Sequence, residues 1–209
     1  MKQRLLSIQH DRRPASPASL HREIHWVDDS IAISGDLPSH GVRKFEQLDR
    51  WIEEGITDVI DVREERNDSE FIREYSDINP IWLGVDDCGR RRDPEWFENL
   101  VKVAGDILAD PSRSVLVHCH MGVNRGPSAA YAILLDQGWH HLDALRAIRE
   151  ARPIAGIIYA PDAAEWFTNR EVGSLSAALE HRREVEDWLD RNPLDLGWVI
   201  GSIGNRLAV

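Results

Sequence analysis

Cys119 and Arg125, six positions apart, are the residues of this chain best suited to do chemistry together. They lie in VLVHCHMGVNRGPS, residues 115–128, where an apolar run ends at His118-Cys119 and a helix-like run opens near Arg125. The connecting residues, His120, Met121, Gly122, Val123 and Asn124, must curl with their backbone N–H groups facing inward. Such a nest in front of a helix N-terminus binds anions. The same positive field favours a thiolate at Cys119. Arg125 adds a planar fork that can hold two oxygens of a tetrahedral oxyanion, and Gly122 lets the backbone come close to the bound group. A nucleophile, a cradle and a clamp in one loop suit a phosphate ester attacked at phosphorus.

The flanking sequence supplies elements to position that loop. EIHWVDDSIAISG reads as two short strands around an Asp-Asp turn. VRKFEQLDRWIEEG has Phe45, Leu48, Trp51 and Ile52 at helical spacing, with Gly55 as a stop. ITDVIDV and INPIWLGV are strands, separated by a short helix in NDSEFIREYS with Asn67 or Asp68 as cap. A helix opens at Asp93-Pro94 and runs to about Ala109, SVLVHC is a buried strand, and further helices cover 126–137, LDALRAIREAR, a segment from Pro161, and SLSAALEHRREVEDWLDRN. Strands alternating with helices predict an α/β fold, a mostly parallel central sheet with helices on both faces and the Cys-x5-Arg loop between a strand and a helix. The expected organisation is a loose arm over 1–20, a catalytic domain over 21–172, and a C-terminal helix and tail over 173–209 packed on it. The tail LGWVIGSIGNRLAV is apolar and broken by glycines, and carries no assignment.

With 209 residues, 42% hydrophobic and 29% charged, the chain has the composition of a globular protein. It lacks an apolar run long enough for a membrane span, and MKQRLLSIQHDRRPASPAS lacks the apolar core of a signal peptide. Two cysteines, 88 and 119, are too few for a disulfide scaffold, so the expected compartment is the cytoplasm. A net charge of -11 argues against broad binding to nucleic acid or anionic membrane, yet leaves room for one positive pocket.

HCHMGVNRG resembles the signature of the cysteine-dependent protein-tyrosine and dual-specificity phosphatases, compact dual-specificity type. SIAISGDLPSHGVRKFEQLDRWIEEGITDVIDVRE is similar to their opening strand, helix and strand, and LRAIREARP to the helix after the catalytic one. The resemblance covers roughly 22–170. It implies hydrolysis through a phosphocysteine intermediate with no metal or cofactor, acting on phosphotyrosine, phosphoprotein or a small phosphorylated molecule. Cys119 would be the nucleophile, Arg125 the clamp, and His118 a support for the thiolate. His120, Met121, Gly122, Val123, Asn124 and Gly126 would form the phosphate loop. The family's general acid lies about thirty residues before the cysteine, which points to Asp87, with Asp86 its neighbour and Asp93 a helix cap. The family usually carries Ser or Thr after the arginine, where this chain has Gly126; Ser128 is the nearest hydroxyl that follows. An RNA 5′-phosphatase and a low-turnover phosphate-binding module are the alternative functions, with a sulfurtransferase behind them. Arg90-Arg91-Arg92 reads as a solvated run or an anion contact, and Cys88 as an inert thiol or a partner for Cys119 on oxidation.

Overall fold

Residue alternation along the strands divides the molecule into two layers of helices around one sheet. A computed structural model describes residues 16–207. Its sheet has the order β1-β2-β5-β3-β4, built from β1 (His25–Trp26), β2 (Ile31–Ser34), β3 (Asp58–Arg63), β4 (Asn79–Val85) and β5 (Val115–His118). Only the β1–β2 pairing is antiparallel; the others are parallel. Ile31, Ile33, Ile60, Val62, Val115 and Val117 share the face covered by α4 (Pro94–Leu108), α5 (Arg125–Asp136), α6 (His141–Ala151), α7 (Ala160–Val172) and α8 (Leu175–Arg191). Ala32, Val59 and Leu116 face the opposite layer, α2 (Val42–Glu53) and α3 (Ser69–Tyr75), where Trp51 is wholly buried. The period-two pattern therefore sends successive residues of each strand to different cores.

The sequence signals for the element ends work as read. Gly55 turns the chain after α2 at φ +78°, and Asp93 caps α4 by accepting from the Glu95 N–H at 2.9 Å. At α3 the Ser69 N–H donates to Asn67 at 2.9 Å, while the Asp68 carboxylate serves Arg63 and Lys44 instead.

The two chain ends depart from the sequence reading. Of the loose arm expected over 1–20, residues 1–15 lie outside the described residues, and Pro17–Leu20 form a short helix, α1. The unassigned tail is helical from Leu196 to Leu207, α9. Val199 and Ile203, four apart, give it one apolar stripe, which joins Leu20, Val123 and Ile154 in a small core with Met121 packed against it. The glycines that hid this helix are tolerated because the stripe supplies the burial that propensity lacks. Through that core Met121 and Val123, in the loop after β5, rest on α1 and α9.

Candidate active site

The C-terminal ends of parallel strands are where α/β sheets gather functional groups, and four strand ends converge here. Asp36 follows β2, Glu65 follows β3, Asp87 follows β4 and Cys119 follows β5. Cys119 is a buried free thiol, with α5 starting at Arg125.

The loop's carbonyls are drawn outward. Arg152, wholly buried, donates Nε to the Gly122 carbonyl at 2.6 Å and Nη2 to those of Met121 at 3.3 Å and His21 at 2.9 Å. Burial pushes its pKa down to about 10, which still leaves a cation at neutral pH. The Val123 carbonyl accepts from the Gly156 N–H at 2.6 Å, next to Ile157, which has φ +55°. Among the described residues, no backbone N–H from His120 to Arg125 donates to another protein group. With the carbonyls held behind, these donors are free for an anion. Gly122 is needed for a reason other than approach to the bound group. At φ +62°, a Cβ there would lie 2.4 Å from Arg152 Nη2 and 2.6 Å from the Ser34 carbonyl oxygen, so the space behind the loop admits only hydrogen.

Arg125 is held by one edge of its guanidinium. Nη1 and Nη2 donate to the two Glu65 carboxylate oxygens at 2.6 and 2.7 Å, and Nη1 also to the Val85 carbonyl at 2.9 Å. Burial opposes the charge, but Glu65 raises the arginine's pKa, and the same pairing holds Glu65 down to about 2. That leaves the side-on edge, Nε–H and one Nη2–H; Nε is buried and makes no hydrogen bond. A buried charged donor that makes no hydrogen bond is costly, and two parallel N–H groups match two oxygens of a phosphoryl group. Lysine cannot keep both the Glu65 fork and that edge. Arg125→Lys should therefore lower kcat/KM by ~10²–10³-fold, the loss of one to two charge-assisted hydrogen bonds. Steady-state kinetics on an aryl phosphate would read this, and wild-type values would show that the fork does not hold substrate.

Asp87 stands in front of the same edge. Its Oδ2 is 3.3 Å from Arg125 Nε, and its Oδ1 accepts from Asn124 Nδ2 at 2.7 Å and from the Tyr159 hydroxyl at 2.9 Å. Tyr159 in turn accepts from the Gly89 N–H at 3.1 Å and carries the Arg92 guanidinium over its ring at 4.5 Å. Asp86 points elsewhere, to Arg92 Nη1 at 2.5 Å. Of the arginine run, Arg92 is buried and braces this loop, with its N–H donating to Asp162 at 2.9 Å. Arg91 is exposed and paired with Glu165, and Arg90 extends into solvent beside Cys88. Cys88 is exposed and unbridged, its pKa lowered by Arg90.

His118 leaves β5 toward the α2 layer, where its ring lies 5.3 Å from that of Trp51, whereas Cys119 belongs to the core on the other face. Neither ring nitrogen has a hydrogen-bond partner, Asp61 is 3.8 Å away, and burial lowers the imidazole's pKa. These surroundings give His118 a packing role, with no hydrogen bond running from it toward the loop. His120 does have a partner: its Nδ1 lies 2.8 Å from Asp36. Burial works against the charge of Asp36, yet His120 and Arg22 hold its pKa down to about 2. Ser128, the nearest hydroxyl after Gly126, is buried and turned to the Tyr159 N–H at 3.2 Å and to Asn124 Oδ1 at 3.4 Å.

No protein-family model matches the sequence, and no curated protein matches it. Solved structures do match the fold. PTPMT1 in complex with PI(5)P aligns with a TM-score of 0.56 at 20% identity, covering 79% of this chain and 97% of that one. This chain has the phosphatase fold of that structure. Tk-PTP in the active form aligns with a TM-score of 0.53 at 18% identity, over 78% of this chain and 96% of that one. A mouse putative dual specificity phosphatase complexed with zinc tungstate gives 0.53 at 17% identity, over 88% and 96%. Glu65, Arg152 and Tyr159 are additional members of the candidate site that sequence reading did not give, and Asn124, expected in the loop, also donates to Asp87. The one available signal was position: Glu65 stands just past the C-terminal end of a parallel strand, as Asp87 and Cys119 do. Among the described residues, no group of three or more His, Cys, Asp or Glu side chains is placed to hold a metal ion. No described helix is long and apolar enough to cross a membrane.

Proposed function

We propose that this protein is a phosphomonoester phosphatase of dual-specificity type, working through a phosphocysteine intermediate on phosphoprotein or a small phosphorylated molecule. The observation that carries the reading is the buried side-on edge of Arg125, whose Nε makes no hydrogen bond and has Asp87 at 3.3 Å, beside a loop whose N–H groups are free. A phosphoryl group in that loop would have Cys119 behind phosphorus and Asp87 on the leaving-group side. In the first step Cys119 forms the S–P bond, the ester P–O bond breaks, and Asp87 gives its proton to the departing oxygen. In the second, Asp87 takes a proton from water as the water oxygen attacks phosphorus, and the sulfur leaves as a thiolate. Arg125 and the loop N–H groups hold the equatorial oxygens throughout, where the transition state carries its charge. The test is hydrolysis of an aryl phosphate with chelator present and with vanadate as competitive inhibitor. No hydrolysis, or hydrolysis that chelator abolishes, would overturn the reading.

Gly126 and the turned-away Ser128 favour slow breakdown of the intermediate, since neither offers the departing sulfur a hydrogen bond. A bond to a charged group is worth ~1.5–3 kcal/mol, tenfold or more in rate. Rapid mixing should then show a burst of leaving group before a slower steady state. Gly126→Ser should raise that steady state roughly tenfold. A Cβ at this position would stand 3.2 Å from the Cys119 backbone nitrogen, so the strand tip must yield by a few tenths of an ångström. Gly126→Ala carries the same crowding without the hydroxyl and should bring no gain. A wild type without a burst, and a serine variant no faster than the alanine one, would refute the slow second step.

A further inference from the structure

A large cleft opens beside the phosphate loop. Ser34 of β2 is in register with His118 of β5, so the chain leaves these parallel neighbours side by side. The Asp36 N–H donates to the His120 carbonyl at 3.1 Å, and residues 38–40 continue from there into the cleft wall. The cleft measures about 1050 Å³ and lies between α1, the face of α2 and the end of α9. Its lining includes Arg22, His40, Arg43, Gln47, Arg50 and Arg206.

The charge of this lining runs against that of the chain. On a protein of net charge -11, four arginines face one cleft against two carboxylates, Glu23 and Glu46. Arg22 is spent on Asp36 at 2.9 Å, and Arg206 is bound to the Ala18 carbonyl. Arg43 and Arg50 are exposed and make no ion pair or side-chain hydrogen bond among the described residues. They are seven residues apart on α2, two turns, which is about 10.5 Å along the axis. A peptide in the extended polyproline II conformation, three residues per turn at ~3.1 Å each, brings side chains three residues apart to one side at about that spacing.

We propose that this cleft docks an extended acidic segment of a phosphopeptide substrate, with acidic side chains three residues apart meeting Arg43 and Arg50. The proposal rests on the phosphatase reading and adds the class of substrate. The carboxylates of Glu23 and Glu46 would repel a compact polyphosphate, but they can accept from the backbone N–H groups of a peptide. His120 stands between the two sites, its Nδ1 held by Asp36 and its ring 6.4 Å from that of the cleft residue His21.

The test compares two phosphotyrosine peptides, one with acidic residues at three-residue spacing and one with neutral residues there. At low salt the acidic peptide should have a kcat/KM about three- to tenfold higher, as expected for two exposed ion pairs. Arg43→Ala/Arg50→Ala should erase that preference and leave p-nitrophenyl phosphate turnover unchanged. Equal rates for the two peptides in wild type, or a preference that survives the double substitution, would overturn the proposal. Binding of a fluorescent acidic peptide without phosphate tests the cleft independently of catalysis and should weaken in the double variant. If wild type hydrolysed no phosphate ester, the catalytic reading would fall while this binding still decided the cleft. Tight binding of tripolyphosphate with none of the peptide would overturn the peptide assignment.

Discussion

Cys119→Ser should bring phosphatase turnover to background while leaving inorganic phosphate binding largely intact. The replacement is nearly isosteric, and Cys119 is buried at the end of β5 with its neighbours fixed by the sheet and α5. In the proposed mechanism the phosphate cradle is made by loop N–H groups and Arg125, neither of which the substitution removes. What changes is the nucleophile. A serine hydroxyl needs an adjacent base to attack; of the two imidazoles flanking position 119, His118 faces the other core and His120 is held by Asp36. The measurement pairs steady-state hydrolysis with calorimetric titration of phosphate. Near-normal turnover in the variant would remove Cys119 from the mechanism, and loss of phosphate binding would show that the sulfur contributes to the cradle.

Asp87→Asn should slow poorly activated substrates by ~10²–10⁴-fold, the usual contribution of a positioned acid. Activated aryl phosphates should suffer less, because their leaving oxygen needs little protonation. The basic limb of the pH–rate profile should flatten in the variant. Asn can keep the hydrogen bond from Tyr159, so the loop stays docked and the loss reports proton transfer. Asp86→Asn serves as the control, since Asp86 is turned to Arg92. A larger loss at Asp86 than at Asp87 would move the acid by one residue.

How much of this was readable from the chain depends on how local each signal is. Cys119, Arg125 and the loop between them form one strand–loop–helix unit, and the strands around it alternate cleanly between two cores. Asp87 was separated from Asp86 only by resemblance; the structure separates them physically, because Arg92 occupies one and Asn124, Tyr159 and Arg125 surround the other. Glu65 and Arg152 carry no local mark, since an acid in VREERN or an arginine in REARP looks like surface. Their partners are 60 and 30 residues away. The reason for Gly122 was hidden likewise, since the atoms that forbid a side chain belong to β2 and to Arg152. Helix α9 was missed because its glycines lower helix propensity, while the burial that fixes it comes from Leu20, Val123 and Ile154.

The central claim is a covalent phosphocysteine, and trapping it is the most direct measurement. Asp87→Ala removes the group that would activate water, so its phosphoenzyme should accumulate with an activated aryl phosphate. Acid quench during the burst, digestion and mass spectrometry should find one phosphoryl group on the peptide that contains Cys119, and none in Cys119→Ser. Release of phosphate with no phosphorylated Cys119 peptide at any time, or a phosphoryl group on another residue, would contradict the account.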